Sequence, residues 1–512
     1  MNNGKVGTVF LIGAGPGDPD LITVKGKLLL ETCDVVVYDN LVPDELVVSL
    51  PYGREKYYVG KRAGKHCFSQ DDINHLLLKL ALEGKNVARL KGSDPLVFGR
   101  GGEEAKFLKK NGIKYEIVPG LTSGIAGPEY AGIPPTDREL SSFILLVTGH
   151  KAGEKQRSSV PWDWVARAKG GTIAVYMGVN EIDRIVADLL QSGMNPETPS
   201  AVIERATYPS QRIITATLKT LPPVVKESNI KPPALFLFGE TIRLQPVVEW
   251  LSHKPLLGLR VMITRAADQS QEMYRNFRWL GAEVMTYPTI ATVPFRDRAA
   301  WQSLREIRSG TKWLAFTSSS GVRNFIEQFT ENFGDIRRLA EYRIAALGSG
   351  TARVLSRYHL QPDFIPSRSV VSEFAAQLGD KVGGADSTVL RVRGELSDKT
   401  FERILSEREL PVLPLTVYRT LFTAWPDDFK DKLFEFPPSV IIFTSATTVD
   451  GILKNMSMDE FRQLVHGATV ISMGQATAAR LRQMGIKIAL EPKGQSIQSL
   501  IDELSRHLKS KR

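Results

Sequence analysis

Short apolar runs, each closed by small, polar or turn-forming residues, recur along the first 240 positions. They are TVFLIG (8–13), DVVVYD (34–39), VARLKG (87–92), YEIVPG (115–120), FILLVTG (143–149), TIAVYM (172–177), AVIERAT (201–207) and ALFLFGE (234–240). Stretches with helical spacing lie between them, such as EIDRIVADLLQSG, whose Gly193 is predicted to cap the helix C-terminus. Strand and helix therefore alternate, which predicts an α/β architecture. Strands crowd together near 200–240, and ERAT…QRIITATL predicts an antiparallel pair. We read this half as two lobes dividing near Pro134–Ser142. After TIRLQPVVEWLSHKPLLG (241–258) the pattern restarts as strand, helix, Gly281, strand, so a boundary is placed at 250–257.

The second half repeats itself. WLAFTSSSGVRNF (313–325) matches VIIFTSATTVDGI (440–452), and IAALGSGTARVL (344–355) matches VISMGQATAARL (470–481). Thr317-Ser318 and Thr444-Ser445 are 127 positions apart, and Thr351 and Thr477 are 126 apart. A near-constant offset across two motifs predicts duplicated lobes. Each motif sets small hydroxyl residues between a strand end and a helix start, where open α/β sheets bind ligands. Plain helix capping accounts for the same residues.

Composition narrows the class. At 512 residues, 42% hydrophobic and 24% charged, the chain reads as an ordinary soluble protein of several lobes. No apolar run reaches the roughly 20 residues of a membrane span. The start MNNGKVGTVF lacks a signal-peptide layout. Cys33 and Cys67 have no metal-ligand spacing and form no disulfide framework, so the expected address is the reducing cytoplasm. Residues 1–254 hold 31 Lys and Arg against 28 Asp and Glu, a net +3; residues 255–512 hold 35 against 28, a net +7. With no basic stripe or nucleic-acid module, this diffuse charge suits a polyanionic small molecule, or solubility alone.

The opening GAGPGDPDLIT asks for a phosphate and then refuses it. Gly13 and Gly15 fit a dinucleotide loop, but the third position is Asp18, and Pro16 and Pro19 lack N–H donors. Asp18 is predicted as N-cap with Pro19 at the first helical position, a carboxylate where a phosphate would sit. The loop suits a ligand without phosphates, a cationic one included. A second loop, RLKGSDPLVFGRGGEEAKFL (89–108), carries Gly92, Ser93 and Asp94 after a strand, and Glu103 and Glu104 in the first turn of a helix, where carboxylates stabilise it. A third segment, PGLTSGIAGPEYAGIPPTDR (119–138), is rich in small residues that allow close approach. No Ser-His-Asp order, HExxH or P-loop is present.

Together these segments resemble a fusion of two tetrapyrrole enzymes. Residues 5–248 resemble uroporphyrinogen-III C-methyltransferase through GAGPGDPDLIT, VVVYDNLV, GKRAGKH, RLKGSDPLVFGRGGEE, PGLTSGIAGPEYAGIPPTDR, VYMGV and SAVIERATYPSQR. Residues 258–509 resemble uroporphyrinogen-III synthase through VMITR, FTSSSGV, LGSGTA, VYRT, IIFTSATTV and MGQATAA. The resemblance implies a two-lobed class III (tetrapyrrole) methyltransferase fold, lobes about 5–137 and 138–248, then a linker at 249–257. A two-lobed flavodoxin-like synthase fold follows, with lobes about 258–292 plus 417–509, and 293–416, joined by a two-stranded linker.

The implied cofactor is S-adenosylmethionine, a sulfonium cation without phosphate, with no metal. Pro16, Gly92, Ser93, Asp94, Thr122, Ser123 and Met177 match its neighbours. Asp39 in YDNLV matches a proposed general base, and Lys61 in GKRAG a lysine near the substrate. In the synthase half Tyr418 matches a general-acid candidate. Thr317, Ser318, Thr351, Thr444, Ser445 and Thr477 would bind carboxylates, with charge added by Arg265 and Arg393. The partners implied are polycarboxylate tetrapyrroles, with neither nucleic acid nor membrane, and a homodimer through the methyltransferase half. Two departures stand out: Ser93 where the family usually has glycine, and Asp137 where it usually has histidine. The expected reactions are ring closure of hydroxymethylbilane to uroporphyrinogen III, then two methylations to precorrin-2. The rival readings are a dinucleotide-dependent oxidoreductase and a second half that senses a ligand without turnover.

Overall fold

The computed structural model describes residues 6–51, 53–60, 68–149, 160–307, 310–383, 387–494 and 496–509. Among them the strands form four sheets, and helices fill the intervals between most strands. The first sheet contains β1 (Thr8–Gly13), β2 (Val35–Tyr38), β3 (Glu55–Tyr58), β4 (Val87–Lys91) and β5 (Lys114–Val118), all parallel, in the order β3-β2-β4-β1-β5. A parallel sheet needs helical crossovers that cover both faces, which is why β1, β2 and β4 are almost wholly buried. All the loops at its carboxyl edge therefore gather at one end.

The second sheet contains β6 (Phe143–Thr148), β7 (Gly171–Tyr176), β8 (Pro199–Glu204), β9 (Arg212–Thr217) and β10 (Ala234–Phe238), in the order β6-β7-β10-β8-β9. Only β6 and β7 are parallel; β8 and β9 pair antiparallel, as the crowding of strands predicts. Gly193 sits just past the helix Ile182–Gln191 with φ +87°, the left-handed conformation of a C-terminal cap.

The third sheet, β11 (Arg260–Ile263), β12 (Glu283–Thr286), β18 (Val440–Phe443) and β19 (Thr469–Ser472), is parallel in the order β12-β11-β18-β19. A bridge from Ile471 to Leu490 adds a fifth position beside β19, giving the flavodoxin-like order 2-1-3-4-5. The fourth sheet contains β13 (Ile290–Pro294), β14 (Lys312–Phe316), β15 (Tyr342–Ala346), β16 (Thr388–Gly394) and β17 (Val412–Phe422), in the order β13-β17-β16-β14-β15, with β13 antiparallel at the edge. An Ala345–Phe364 bridge extends it in the same way. Counted outward, Phe364-β15-β14-β16-β17 and Leu490-β19-β18-β11-β12 are the same arrangement. In the third sheet the last two positions are filled by strands that precede the inserted fourth sheet in the chain. The two lobes thus share one arrangement with a circular shift in chain order, and the repeated motifs lie on its matching strands.

Compactness divides the chain into Met1–Pro288 with Ala424–Arg512, and Thr289–Thr423. Inside the first of these units one apolar core runs through both halves of the sequence. Tyr38, Val42, Leu46 and Val47 belong to the same buried cluster as Met285, Tyr287, Phe429 and Leu433. No helix among the described residues is long and apolar enough to cross a membrane.

Candidate functional site

Three loops meet at the carboxyl edge of the first sheet. Beyond β1, Ala14 N donates to Lys91 O at 2.7 Å, and Gly15 and Ser93 exchange backbone hydrogen bonds of 2.7 and 3.3 Å. A Cβ at Gly13 would lie 2.6 Å from Gly120, and one at Gly120 would lie 2.4 Å from Ser93 O, so neither position admits a side chain. Asp94 organises the second loop: Oδ1 accepts from Leu96 N and Val97 N, and Oδ2 accepts from Gly120 N at 3.0 Å. Gly92, Ser93, Asp94, Thr122 and Ser123 are thus brought together, with Pro16 half-buried in the neighbouring loop.

Ser93 adopts φ +65°, which explains why a glycine is expected there. Its hydroxyl offsets the strain by accepting from Ser123 N at 2.8 Å, at the start of the helix Ser123–Tyr130. The next amide, Gly124 N, donates to Tyr176 OH at 2.6 Å, and Tyr176 OH shares a 2.7 Å hydrogen bond with Thr122 Oγ1. Burial pushes the Tyr176 phenol above its ordinary range. Tyr176 therefore closes the helix end from the second sheet, beside Met177. Met177 itself is exposed with φ +54°, so it is not a core side chain. Leu41, Leu96, Phe98 and Leu121 are also exposed on loops that follow strands of the first sheet. Phe98 and Tyr176 pack at a centroid distance of 5.0 Å.

Asp18 caps the turn Pro19–Leu21, its carboxylate accepting from Asp20 N at 2.9 Å, with Pro19 first in that turn. Asp18 is matched inside the chain, by Tyr130 OH at 3.0 Å and by an ion pair with Arg278.

Beneath Asp39 lies a buried charged cluster. Glu104 is fully buried, and its Oε1 accepts from Arg89 Nε at 3.3 Å, Lys91 Nζ at 2.9 Å and Gln70 Nε2 at 3.2 Å. Arg89 Nη2 reaches Asp39 Oδ2 at 3.3 Å, while Asp39 Oδ1 accepts from Leu41 N at 3.1 Å. Burial alone would raise Glu104, but Arg89 and Lys91 outweigh it and hold the carboxyl below its usual range. Burial and the Arg89 charge push Lys91 down, and Glu104 pulls it part of the way back. Glu104 is thus more than a helix-start acid. Lys61 lies outside the described residues. Asp137 accepts from Glu139 N and Leu140 N, so it shapes its own turn.

The second half of the chain is divided between the two compact units. Within Thr289–Thr423, Ser318 caps the helix Ser319–Phe333, accepting from Gly321 N at 3.0 Å, and its hydroxyl lies 3.1 Å from Tyr418 OH. Thr317 Oγ1 donates to Val392 O at 3.4 Å. Thr351, third in the helix Ser349–Ser356, is buried. Arg393 pairs with Glu402 at 3.0 Å, so its charge is engaged. Within the other unit, Ser445 caps the helix Ala446–Ile452 with nearly the same backbone angles as Ser318, and Thr444 precedes it. Thr477, third in the helix Gln475–Gln483, is buried like Thr351. Arg265 donates to Gln269 Oε1 at 2.8 Å. Of the duplicated hydroxyls, Ser318 and Ser445 are caps and Thr351 and Thr477 are buried. Ser445→Asp keeps a cap and adds a negative charge. It should leave stability within about 0.5 kcal/mol but raise KM for a polycarboxylate substrate in a steady-state assay. An unchanged KM would remove Ser445 from substrate binding.

Comparison with known proteins finds two families in succession along the chain. Residues 8–222 match the Tetrapyrrole (Corrin/Porphyrin) Methylases, and residues 271–502 match Uroporphyrinogen-III synthase HemD. The porphyrin biosynthesis protein HemD of Ruminiclostridium josui is 35% identical over 500 residues, 97% of each chain. This chain belongs to the fused tetrapyrrole methylases and uroporphyrinogen-III synthases. Its methyltransferase half is 44% identical over 246 residues to the S-adenosyl-L-methionine-dependent uroporphyrinogen III methyltransferase of Methanosarcina barkeri, covering 48% of this chain and 96% of that one. The uroporphyrin-III C-methyl transferase of Thermus thermophilus, solved with S-adenyl homocysteine, is 39% identical, covers 46% of this chain and 94% of that one, and has a TM-score of 0.40. The protein is a bifunctional enzyme of tetrapyrrole biosynthesis, with a methyltransferase half and a synthase half.

Proposed function

We propose that the methyltransferase half methylates uroporphyrinogen III twice, at C2 and C7, to give precorrin-2 with S-adenosylmethionine as donor. The synthase half supplies that substrate by closing hydroxymethylbilane with inversion of ring D. The observation that carries the methyltransferase reading is the state of the helix starts at the three-loop junction. Their amides are consumed from within the chain: Asp20 N by Asp18, Ser123 N by Ser93 and Gly124 N by Tyr176. A pyrophosphate needs those amides; a neutral or cationic ligand does not. The missing side chains at Gly13 and Gly120 let the three loops pack backbone against backbone and fix the shape of the junction.

Pro16, Gly92, Ser93, Asp94, Thr122, Ser123 and Met177 would hold the donor, which supplies an electrophilic methyl group when bound. Asp39 lies at the end of β2, its carboxylate oriented by Arg89 and the Leu41 amide. There it would accept the proton lost from the methylated pyrrole carbon, or stabilise the positive charge that develops on the ring. Exposed Leu41, Leu96, Phe98 and Leu121 offer apolar surface to a macrocycle and exclude water around the reacting carbon. In the synthase half, Tyr418 would protonate the departing hydroxyl. Ser318, which already accepts from Gly321 N, can donate its own proton to the phenol oxygen and leave the phenol proton free.

Titration calorimetry of the full chain tests the cofactor. S-adenosylhomocysteine should bind at micromolar concentration or tighter, and NADH and NADPH should not bind. Saturable nicotinamide binding that competes with S-adenosylhomocysteine would overturn the reading.

A further inference from the structure

The two halves could be linked by a tether alone, yet the structure fastens them through buried charge. The methyltransferase half presents four acids at two places: Asp18 and Asp20 at the turn after β1, and Asp44 and Glu45 at the start of the helix Asp44–Val48 after β2. Each is met by a group from the synthase half within the same compact unit. Arg278, on the helix Ala267–Trp279, pairs with Asp18 and lies 3.6 Å from Asp20. Lys432, on the helix Asp427–Glu435, pairs with Asp44 and with Asp428. Thr286 Oγ1 donates to Glu45 Oε1 at 2.9 Å. Tyr38, adjacent to Asp39, donates from its hydroxyl to Asp428 Oδ1 at 3.0 Å.

These contacts continue to the cofactor loops. Asp18 is a junction: Arg278 holds it from the synthase side, Tyr130 OH from the helix Ser123–Tyr130, and Thr207 Oγ1 accepts from its backbone N–H at 2.9 Å. The loop that Asp18 ends is joined through Gly15 to Ser93, and Ser93 caps the other end of the Ser123–Tyr130 helix. The side chains of Arg278 and Asp18 are each only 12% exposed, so water screens the pair weakly. Side chains of this kind, in contiguous contact, are the material from which coupling between sites is made.

We infer that the synthase half is a built-in positioning element of the methyl-transfer site: Arg278, acting through Asp18, sets the loop between β1 and Pro19, so that cofactor binding and ordering of the Ala267–Trp279 helix are coupled. The inference rests on the methyltransferase reading above. Coupling of this kind is reciprocal. A ligand that settles the loop steadies the helix, and loss of Arg278 weakens the ligand.

The test uses the full chain with S-adenosylhomocysteine as the probe. Arg278→Gln should weaken its binding by about 5- to 50-fold and raise KM for the methyl donor more than it lowers kcat. Synthase turnover should stay within twofold, and Arg278→Lys should restore most of the affinity. In hydrogen-exchange mass spectrometry, S-adenosylhomocysteine should increase protection over 267–279 in the unaltered chain and not in Arg278→Gln. Affinity within twofold of the unaltered chain, or protection over 267–279 that the ligand leaves unmoved, overturns the inference. If Arg278→Gln fails to fold, exchange in the unaltered chain decides alone. If the unaltered chain binds no S-adenosylhomocysteine while its synthase turns over, the methyltransferase reading itself falls.

Discussion

Glu104→Ala is expected to cost the full chain about 3–5 kcal/mol, the penalty for removing one partner of a buried ion pair. Glu104 is fully buried, and a single carboxylate oxygen takes hydrogen bonds from Arg89, Lys91 and Gln70. Its loss leaves a guanidinium and an ammonium side by side in the interior, with only the partly exposed Asp39 opposite. Glu104→Gln keeps the volume but not the charge and should be nearly as damaging. Lys91→Met combined with Glu104→Leu removes one charge of each sign, leaves Arg89 facing Asp39, and should recover part of the loss. Urea denaturation followed by circular dichroism measures all three; a Glu104→Ala loss below about 1 kcal/mol would contradict the cluster's role. The pH dependence has a definite sign. Arg89 and Lys91 outweigh burial and hold the folded carboxyl below its usual range, so its stabilisation is complete above the unfolded value of about 4.3 and is lost as pH falls through the folded value.

Asp39→Ala is expected to lower kcat for methyl transfer by about 10²- to 10⁴-fold, the range for loss of a general acid or base. Affinity for S-adenosylhomocysteine should be unchanged, because the loops proposed to hold the cofactor are built by Asp94, Ser93 and Tyr176 rather than by Asp39. Asp39→Asn separates chemistry from positioning. The single amide oxygen can still accept from Leu41 N, while an NH2 replaces the oxygen that faces Arg89, so the turn is kept but the charge and the proton acceptor are lost. If Asn is as slow as Ala, the carboxylate does the chemistry. If Asn restores the rate, Asp39 serves only to shape the loop. Single-turnover methylation of added uroporphyrinogen III is the measurement.

Much of the framework is legible in the chain because it is written locally. Apolar runs such as TVFLIG and VIIF become buried strands, and glycines with turn residues mark where strands stop. The duplicated lobes are legible because both copies keep the same strand–cap–helix grammar at Ser318 and Ser445. β3 is hidden: EKYY is polar and lies on a sheet edge, where one side needs no apolar partner. Arg89 and Lys91 carry no local signal of their role: they alternate along a strand, and only the folded structure points them at Glu104. The signal that could reveal them is the parallel sheet itself, which leaves a central strand no solvated face. Tyr176 is overlooked beside Met177 because a tyrosine ending a strand has no motif; its capping role exists only once two sheets meet. The Arg278–Asp18 pair joins residues far apart in the chain, and no local pattern announces such a contact.

One measurement bears on the whole account: incubation of the full chain with hydroxymethylbilane and S-adenosylmethionine, with the product isolated and weighed by mass spectrometry. The account predicts a type III macrocycle carrying two added methyl groups, and a single added methyl group or none when Asp39 is alanine. An unmethylated type I macrocycle as the sole product of the unaltered chain would contradict it.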